Sequence, residues 1–182
     1  DLCGAMADAL GAMGARVAVL DISLEKAENR AQAIVRAGGS ALALQCDVLD
    51  TGRLRECHDN VSAVWGAPDF LINGAGGNDP RGSTAFEFEG PRTTGSVPGQ
   101  SFFDLDPEGF RHVFNLNFMG TFLTTQTFAR EMASRGRGAI VNISSMSALV
   151  PLTKVAAYSA AKAAVSNFTR WLAVHFAHAG VR

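Results

Sequence analysis

Tyrosine is almost absent from this chain. Among 182 residues there is one, Tyr158, and lysine occurs only at Lys26, Lys154 and Lys162. An excess of charge is absent too: charged residues make up 18% and the formal net charge is −1. That leaves no field to draw in nucleic acid or an anionic membrane surface, so a small-molecule partner is expected. No apolar run approaches the ~20 residues that cross a bilayer. The start, Asp1-Leu-Cys-Gly4, lacks the basic segment of a secretory signal. Cysteine is sparse, with Cys3, Cys46 and Cys57 odd in number and forming no Cys-x-x-Cys pair. Reduced, mostly buried thiols in a cytoplasmic protein are expected. His175 and His178 have no third ligand nearby, which favours solvated histidines over a site, and no metal is expected.

What is present is enough chain for one domain with a sizeable core, and too little for two of ordinary size. Its periodicity alternates between helix-like and strand-like segments. Residues 4–14 read as a helix stopped at Gly14, and Arg16-Val-Ala-Val-Leu-Asp21 as a strand buried on both faces. Ser23 is placed as the N-cap of a helix running to about Ala37, broken by Gly38-Gly39. Residues 41–45 form a second strand, 51–65 an amphipathic helix, and Phe70-Leu-Ile-Asn73 a third strand. A polar stretch from 77 to 100 has little periodicity, and a loop of that length is usually a lid or binding loop. Pro107 sits in the first turn of a long helix reaching about Ser134. Residues 139–144 form a fourth strand and 156–179 a final helix. Repeated β-α units predict an α/β fold, a parallel sheet covered by helices on both faces.

On a helix, the four-residue spacing of Tyr158 and Lys162 puts phenol and ammonium on one face, one turn apart. A nearby cation favours the phenolate, the form in which a phenol acts as a base. Ser145 lies thirteen residues before Tyr158, at the end of the Ala139-Ile-Val-Asn-Ile-Ser-Ser145 run. Alone, the pair reads equally well as a packed aromatic beside a solvated charge.

Together the motifs resemble the short-chain dehydrogenase/reductase family, and the likeness runs the whole length of the chain. Asn73-Gly74-Ala75-Gly76 resembles its Asn-Asn-Ala-Gly motif, with Gly in the second position. Asn117, Ser145, Tyr158 and Lys162 match the catalytic tetrad in order and spacing, with Ser144 a rival for Ser145. Asp47-Val48 resembles the pair that contacts adenine, although Asp47 also reads as a residue starting a helix. The resemblance implies a Rossmann-like doubly wound sheet. It departs from the pattern at both ends, since Gly4 alone stands for the glycine-rich phosphate loop. Residues 1–182 are therefore expected to be one dinucleotide-binding domain lacking its first strand and its C-terminal strands. Without a central strand, two buried strand edges would be left unpaired.

The implied cofactor is NAD rather than NADP. A carboxylate at Asp21, closing the strand after the glycine-loop helix, accepts from both ribose hydroxyls and repels a 2′-phosphate. No Arg or Lys follows at Ile22, Ser23 or Leu24. The alternative makes Asp21 a cap of the next helix. Gly74 and Gly76 let the backbone approach the cofactor. The implied reaction is hydride transfer with a secondary alcohol or ketone. Tyr158 exchanges the proton, Lys162 promotes its phenolate and holds the nicotinamide ribose, Ser145 binds the substrate oxygen, and Asn117 holds a water. Residues 101–110, the Ser-Met-Ser-Ala after Ser144 and Pro151-Leu-Thr-Lys154 look like the branch of D-mannonate oxidoreductases, which interconvert D-mannonate and D-fructuronate. A sugar acid needs a cation for its carboxylate, and Lys154, Arg81 and Arg92 are the candidates, each also readable as a solvated loop charge. The runner-up is a polyol or other secondary-alcohol dehydrogenase. A rival of another class is a non-catalytic dinucleotide sensor, disfavoured because the tetrad is intact. The aromatic residues Phe114, Phe118, Phe122, Phe128, Phe168, Trp171 and Phe176 exceed what one sheet face covers. Resemblance implies that they pair in a homodimer or homotetramer, unless all are intrachain core.

Overall fold

The computed structural model describes residues 2–90, 99–150 and 152–182. Six helices and four strands alternate along them: α1 (Leu2–Ala12), β1 (Arg16–Asp21), α2 (Leu24–Arg36), β2 (Ser40–Gln45), α3 (Thr51–Trp65), β3 (Phe70–Asn73), α4 (Pro107–Phe114), α5 (Gly120–Arg135), β4 (Ala139–Asn142) and α6 (Ala156–His175). Local chemistry sets most boundaries. Ser23 caps α2 by accepting from Lys26 N–H, and Asp50 caps α3 by accepting from Gly52 and Arg53 N–H. Asp106 caps α4, with Pro107 at its first position. Gly136, at φ 70°, ends α5 in the left-handed conformation that a Cβ disfavours. α2 buries Ala27, Ala31 and Ile34, and α3 buries Leu54, Cys57 and Val61, each set lying on one face of its helix. α1 crosses α2 at Gly11, where a Cβ would come within 2.5 Å of Ile34 Cγ2.

All strand pairing is parallel. β1 pairs with β2 from Arg16↔Ser40 to Asp21↔Gln45, and β3 pairs with β4 from Phe70↔Ala139 to Asn73↔Asn142. Among the described residues no ladder joins the two pairs, yet they share a core. Cys46, Leu54, Cys57 and Phe128 form its centre, against Leu20 of β1, Leu44 of β2, Leu71 of β3 and Leu123 of α5. β1, expected to be buried on both faces, is instead only partly covered, as is β2, and in the other pair Phe70 is 64% and Val141 48% exposed. Each sheet is only two strands wide, so its outer positions lack neighbours.

Three further expectations are corrected. The helix drawn from 107 to 134 is two helices joined by a π-helical turn, Asn115–Met119. The last helix stops at His175, and a 3-10 turn occupies Ala177–Ala179. β4 ends at Asn142, because the chain leaves the ladder to form the loop that carries the two serines. No helix among the described residues is long and apolar enough to cross a membrane.

Candidate active site

The carboxyl ends of the parallel strands carry the polar residues, where open α/β sheets bind ligands. Asn73 and Asn142, the last residues of β3 and β4, are joined by Asn73 Nδ2 donating to Asn142 Oδ1 at 2.8 Å. The same Nδ2 donates to Thr125 Oγ1 of α5 at 2.9 Å. Asn142 Nδ2 donates to Thr169 Oγ1 of α6 at 2.9 Å. One network, buried at Asn73 and Thr125, thus ties both strand ends to the two long helices. The side chain of Asn73, expected among cofactor-binding residues, is committed to this interior. Its Oδ1 is buried and has no hydrogen-bond partner among the described residues. Asn142, Thr125 and Thr169 went unnoticed in the sequence, where polar residues inside apolar stretches gave no sign of pairing.

Beyond β3 the chain turns through Gly74-Ala75-Gly76 and meets the π-helical turn. That turn presents Asn117, which is fully buried, and such bulges often mark functional positions in helices. Asn117 Nδ2 donates to the carbonyls of Gly77 (2.7 Å) and Val113 (2.8 Å), and its Oδ1 accepts from Gly77 N–H at 3.3 Å. A Cβ on Gly76 would stand 2.5 Å from Asn117 Oδ1 and 3.3 Å from Lys162 Nζ. Glycine is therefore needed there for the close approach of Asn117 and Lys162. Lys162 is only 4% exposed and donates from Nζ to the Ile143 carbonyl at 2.8 Å. Burial pushes its pKa below 10.5, opposed by the sulfur of neighbouring Cys3. Tyr158 lies one turn earlier on α6, with Lys162 Nζ 5.6 Å from its ring centre. The predicted helical geometry of this pair is what the structure has.

After β4, neighbouring serines diverge. Ser144 Oγ donates to the Lys162 carbonyl at 3.2 Å and shares a 2.6 Å hydrogen bond with Ser166 Oγ, so it fastens the loop to α6. Ser145 Oγ instead accepts from the N–H and hydroxyl of Ser147 at 3.2 and 2.9 Å.

On the other side of the site, Asp21 closes β1 with its Oδ1 accepting from Ser23 N–H at 2.9 Å, while Ser23 itself is the cap of α2. Asp47 Oδ1 accepts from Leu49 N–H at 2.9 Å, and the cap of α3 is Asp50. Val48 packs on Gly120, where a Cβ would come within 2.8 Å of Val48 Cγ2. Gly4 is buried in the first turn of α1. Beside it, Cys3 lies so close to Gly74 that a Cβ there would overlap its sulfur, at 2.1 Å. Position 74 holds Gly where the resembled motif has a second asparagine, and Cys3 Sγ occupies the space a side chain there would enter.

The loop after Asn78 is internally braced. Gln100 Nε2 reaches the carbonyls of Pro80, Arg81 and Ser83 at 3.3, 2.8 and 2.9 Å. Thr84 N–H donates to the Lys154 carbonyl at 2.9 Å, which latches the loop to the segment leading into α6. Lys154 is exposed and adopts φ 69°, a conformation uncommon for a side-chain-bearing residue. Arg81 lies 2.7 Å from Asp79 and 3.7 Å from Asp106, and holds the Asp79 carboxyl down at about 2. Its charge is already matched. Lys154 forms no ion pair among the described residues. Arg92 lies outside the described residues.

An uncharacterized oxidoreductase, UxuB, of Bacillus subtilis (strain 168) is 48% identical over 181 residues, covering 100% of this chain and 64% of its own length. Cis-4-hydroxycyclohexanecarboxylate dehydrogenase of Sinomonas cyclohexanicum is 33% identical over 178 residues, 98% of this chain and 64% of that protein. Among solved structures, a candidate D-mannonate oxidoreductase from Haemophilus influenza with bound NAD superposes with a TM-score of 0.93 at 44% identity, over 100% of this chain and 64% of that one. The chain thus spans under two thirds of the length of these relatives. A family model described as short chain dehydrogenase matches residues 2–182, and the chain belongs to that family.

Proposed function

We propose that this chain is the dinucleotide-binding and catalytic part of an NAD-dependent oxidoreductase acting on a secondary alcohol or ketone, with a sugar acid of the D-mannonate/D-fructuronate kind as substrate. The observation that carries the reading is the convergence of buried Asn117 and Lys162 on the bare backbone of Gly76, one helical turn from the lone Tyr158. The residues present fit a dinucleotide. Asp21 keeps an oxygen beyond the one used on Ser23, and the space beside Gly76 is taken by Asn117 and Lys162, the groups proposed to act there. Gly4, Gly74, Ala75, Asp47 and Val48 supply the other candidate contacts.

When bound, nicotinamide accepts or supplies the hydride. Tyr158 takes the carbinol proton during oxidation and returns it to the ketone oxygen during reduction, a role typically worth 10²–10⁴-fold in rate. Lys162 holds a positive charge against the phenol and is aimed by the Ile143 carbonyl. Ser145 donates to the oxygen on which charge develops. Asn117 fixes the turn at Gly77 that walls the site. For a carboxylate, Lys154 is the better placed cation, since Arg81 is already paired.

NADH consumption followed at 340 nm with D-fructuronate, using wild type beside Tyr158→Phe, tests the reading. Turnover abolished in the variant is the expected result. Turnover only with neutral polyols would move the substrate to that class. A variant equal to wild type in every assay would return the chain to a non-catalytic sensor. We further propose that residues 1–182 belong to one dinucleotide-binding domain, with a parallel strand supplied from outside these residues lying between β1 and β3. An intact mass near 19.2 kDa from folded, active protein counts against that. Free Cys3, Cys46 and Cys57 favour a reducing, cytoplasmic setting.

A further inference from the structure

Ser147 lies outside the tetrad, yet it is the residue that touches Ser145. It is 4% exposed, in the short turn Met146–Ala148 that Ser145 caps. Its N–H lies 3.2 Å from Ser145 Oγ, and its hydroxyl lies 2.9 Å from the same oxygen. A hydroxyl oxygen offers one proton and accepts through two lone pairs. The N–H can only donate, so it takes one lone pair of Ser145 Oγ. Ser147 Oγ has no other hydrogen-bond partner among the described residues, so its proton is directed to the second. What Ser145 then has left for a third partner is its own proton.

We infer that Ser147 is a positioning residue that sets the polarity of the Ser145 hydroxyl, holding it as a donor toward the substrate oxygen. The inference rests on the proposed role of Ser145 as the group that stabilises charge on that oxygen. With the hydroxyls reversed, Ser145 would donate to Ser147 and turn a lone pair on the reacting oxygen, which repels the charge it should stabilise. Ser144 cannot substitute, because its hydroxyl is tied to Ser166 and the Lys162 carbonyl. Charge on the substrate oxygen is greatest in the transition state, so the effect belongs in kcat more than in KM.

Steady-state kinetics with D-fructuronate, and in parallel a polyol panel, would compare wild type, Ser147→Ala, Ser147→Thr, Ser145→Ala and the double alanine variant, with NADH Kd measured for each. Ser147→Ala is expected to lower kcat by about 5- to 10-fold, the worth of one neutral hydrogen bond. KM and NADH Kd should stay within about twofold, and Ser147→Thr should recover the rate. In the Ser145→Ala background the same change should have no further effect, because the two act as one unit. An equal loss in both backgrounds overturns the inference, as does an unchanged kcat in Ser147→Ala. Full turnover by Ser145→Ala would defeat the parent reading and this one together. A neutron-diffraction map gives a readout independent of turnover: a deuteron on Ser147 Oγ directed at Ser145 Oγ supports the inference, and the reverse placement overturns it.

Discussion

Lys162 keeps an ammonium group almost out of water, with one carbonyl as its hydrogen-bond partner. Burial lowers its pKa from 10.5, so the folded lysine releases its proton before the unfolded one. Below the folded value it is charged in both states, and the folded protein bears the burial penalty. As pH rises through the folded value toward 10.5, the unfolded state binds more protons and stability increases. Lys162→Met should therefore abolish turnover yet raise Tm at pH 7, because it removes the burial penalty on the charge. Urea midpoints between pH 8 and 10.5 should show wild type closing that gap. The cysteines make a second residue-scale prediction. Burial and the Cys57 sulfur push Cys46 up to about 12, and burial raises Cys57 as well, so neither forms a reactive thiolate near neutrality. Cys3 is half-buried beside Gly74. Maleimide should label Cys3 first in native protein, and NAD should slow that labelling; equal labelling of all three would contradict the packing.

At the scale of elements, the segment leading into α6 combines an exposed lysine with a backbone role. Lys154 holds φ 69° and offers its carbonyl to Thr84 N–H. Glycine adopts this conformation without the Cβ conflict, at a gain of up to about 1 kcal/mol. Lys154→Gly should thus leave the latch in place and hold or raise stability. If the ammonium clamps a carboxylate, KM for a sugar acid should rise by roughly tenfold while KM for a neutral polyol stays put. A parallel rise for both would assign the residue to the backbone alone. The cap at Ser23 and the Gly38-Gly39 stop made α2 legible in the sequence, amphipathic periodicity did so for α3, and Pro107 marked where α4 begins. The π-helical turn was not, because residues 107–134 keep a helical apolar pattern throughout. Only the packing of Asn117 against Gly76 and Gly77 identifies the place where an extra residue is accommodated.

Across the whole molecule, α4, α5 and α6 present a ladder of rings. Phe114 meets Phe118 at 5.6 Å, Phe118 and Phe122 meet Phe168 at 5.8 and 5.9 Å, and Trp171 stacks on His175 at 4.5 Å. Part of the aromatic surplus is core, since Phe128 is 5% exposed, but Trp171 is 54% and Val174 78% exposed. Self-association through this face is the oligomeric arrangement we propose, as a dimer or tetramer. Trp171→Glu should lower the mass measured by size-exclusion chromatography with light scattering; an unchanged mass would place the contact elsewhere.

The sequence by itself determined the alternation of helices and strands, the order and spacing of Asn117, Ser145, Tyr158 and Lys162, and the family, because periodicity, caps and motif spacing are local properties of the chain. Tertiary structure decided what depends on distance between remote residues. It paired Arg81 with Asp79 and Asp106, set Cys3 against Gly74, and joined Asn73 to Asn142. It also gave adjacent serines different partners, tying Ser144 to α6 and Ser145 to Ser147. A hydroxyl's partner is fixed by the direction in which the folded backbone points it, and residue order alone does not carry that direction.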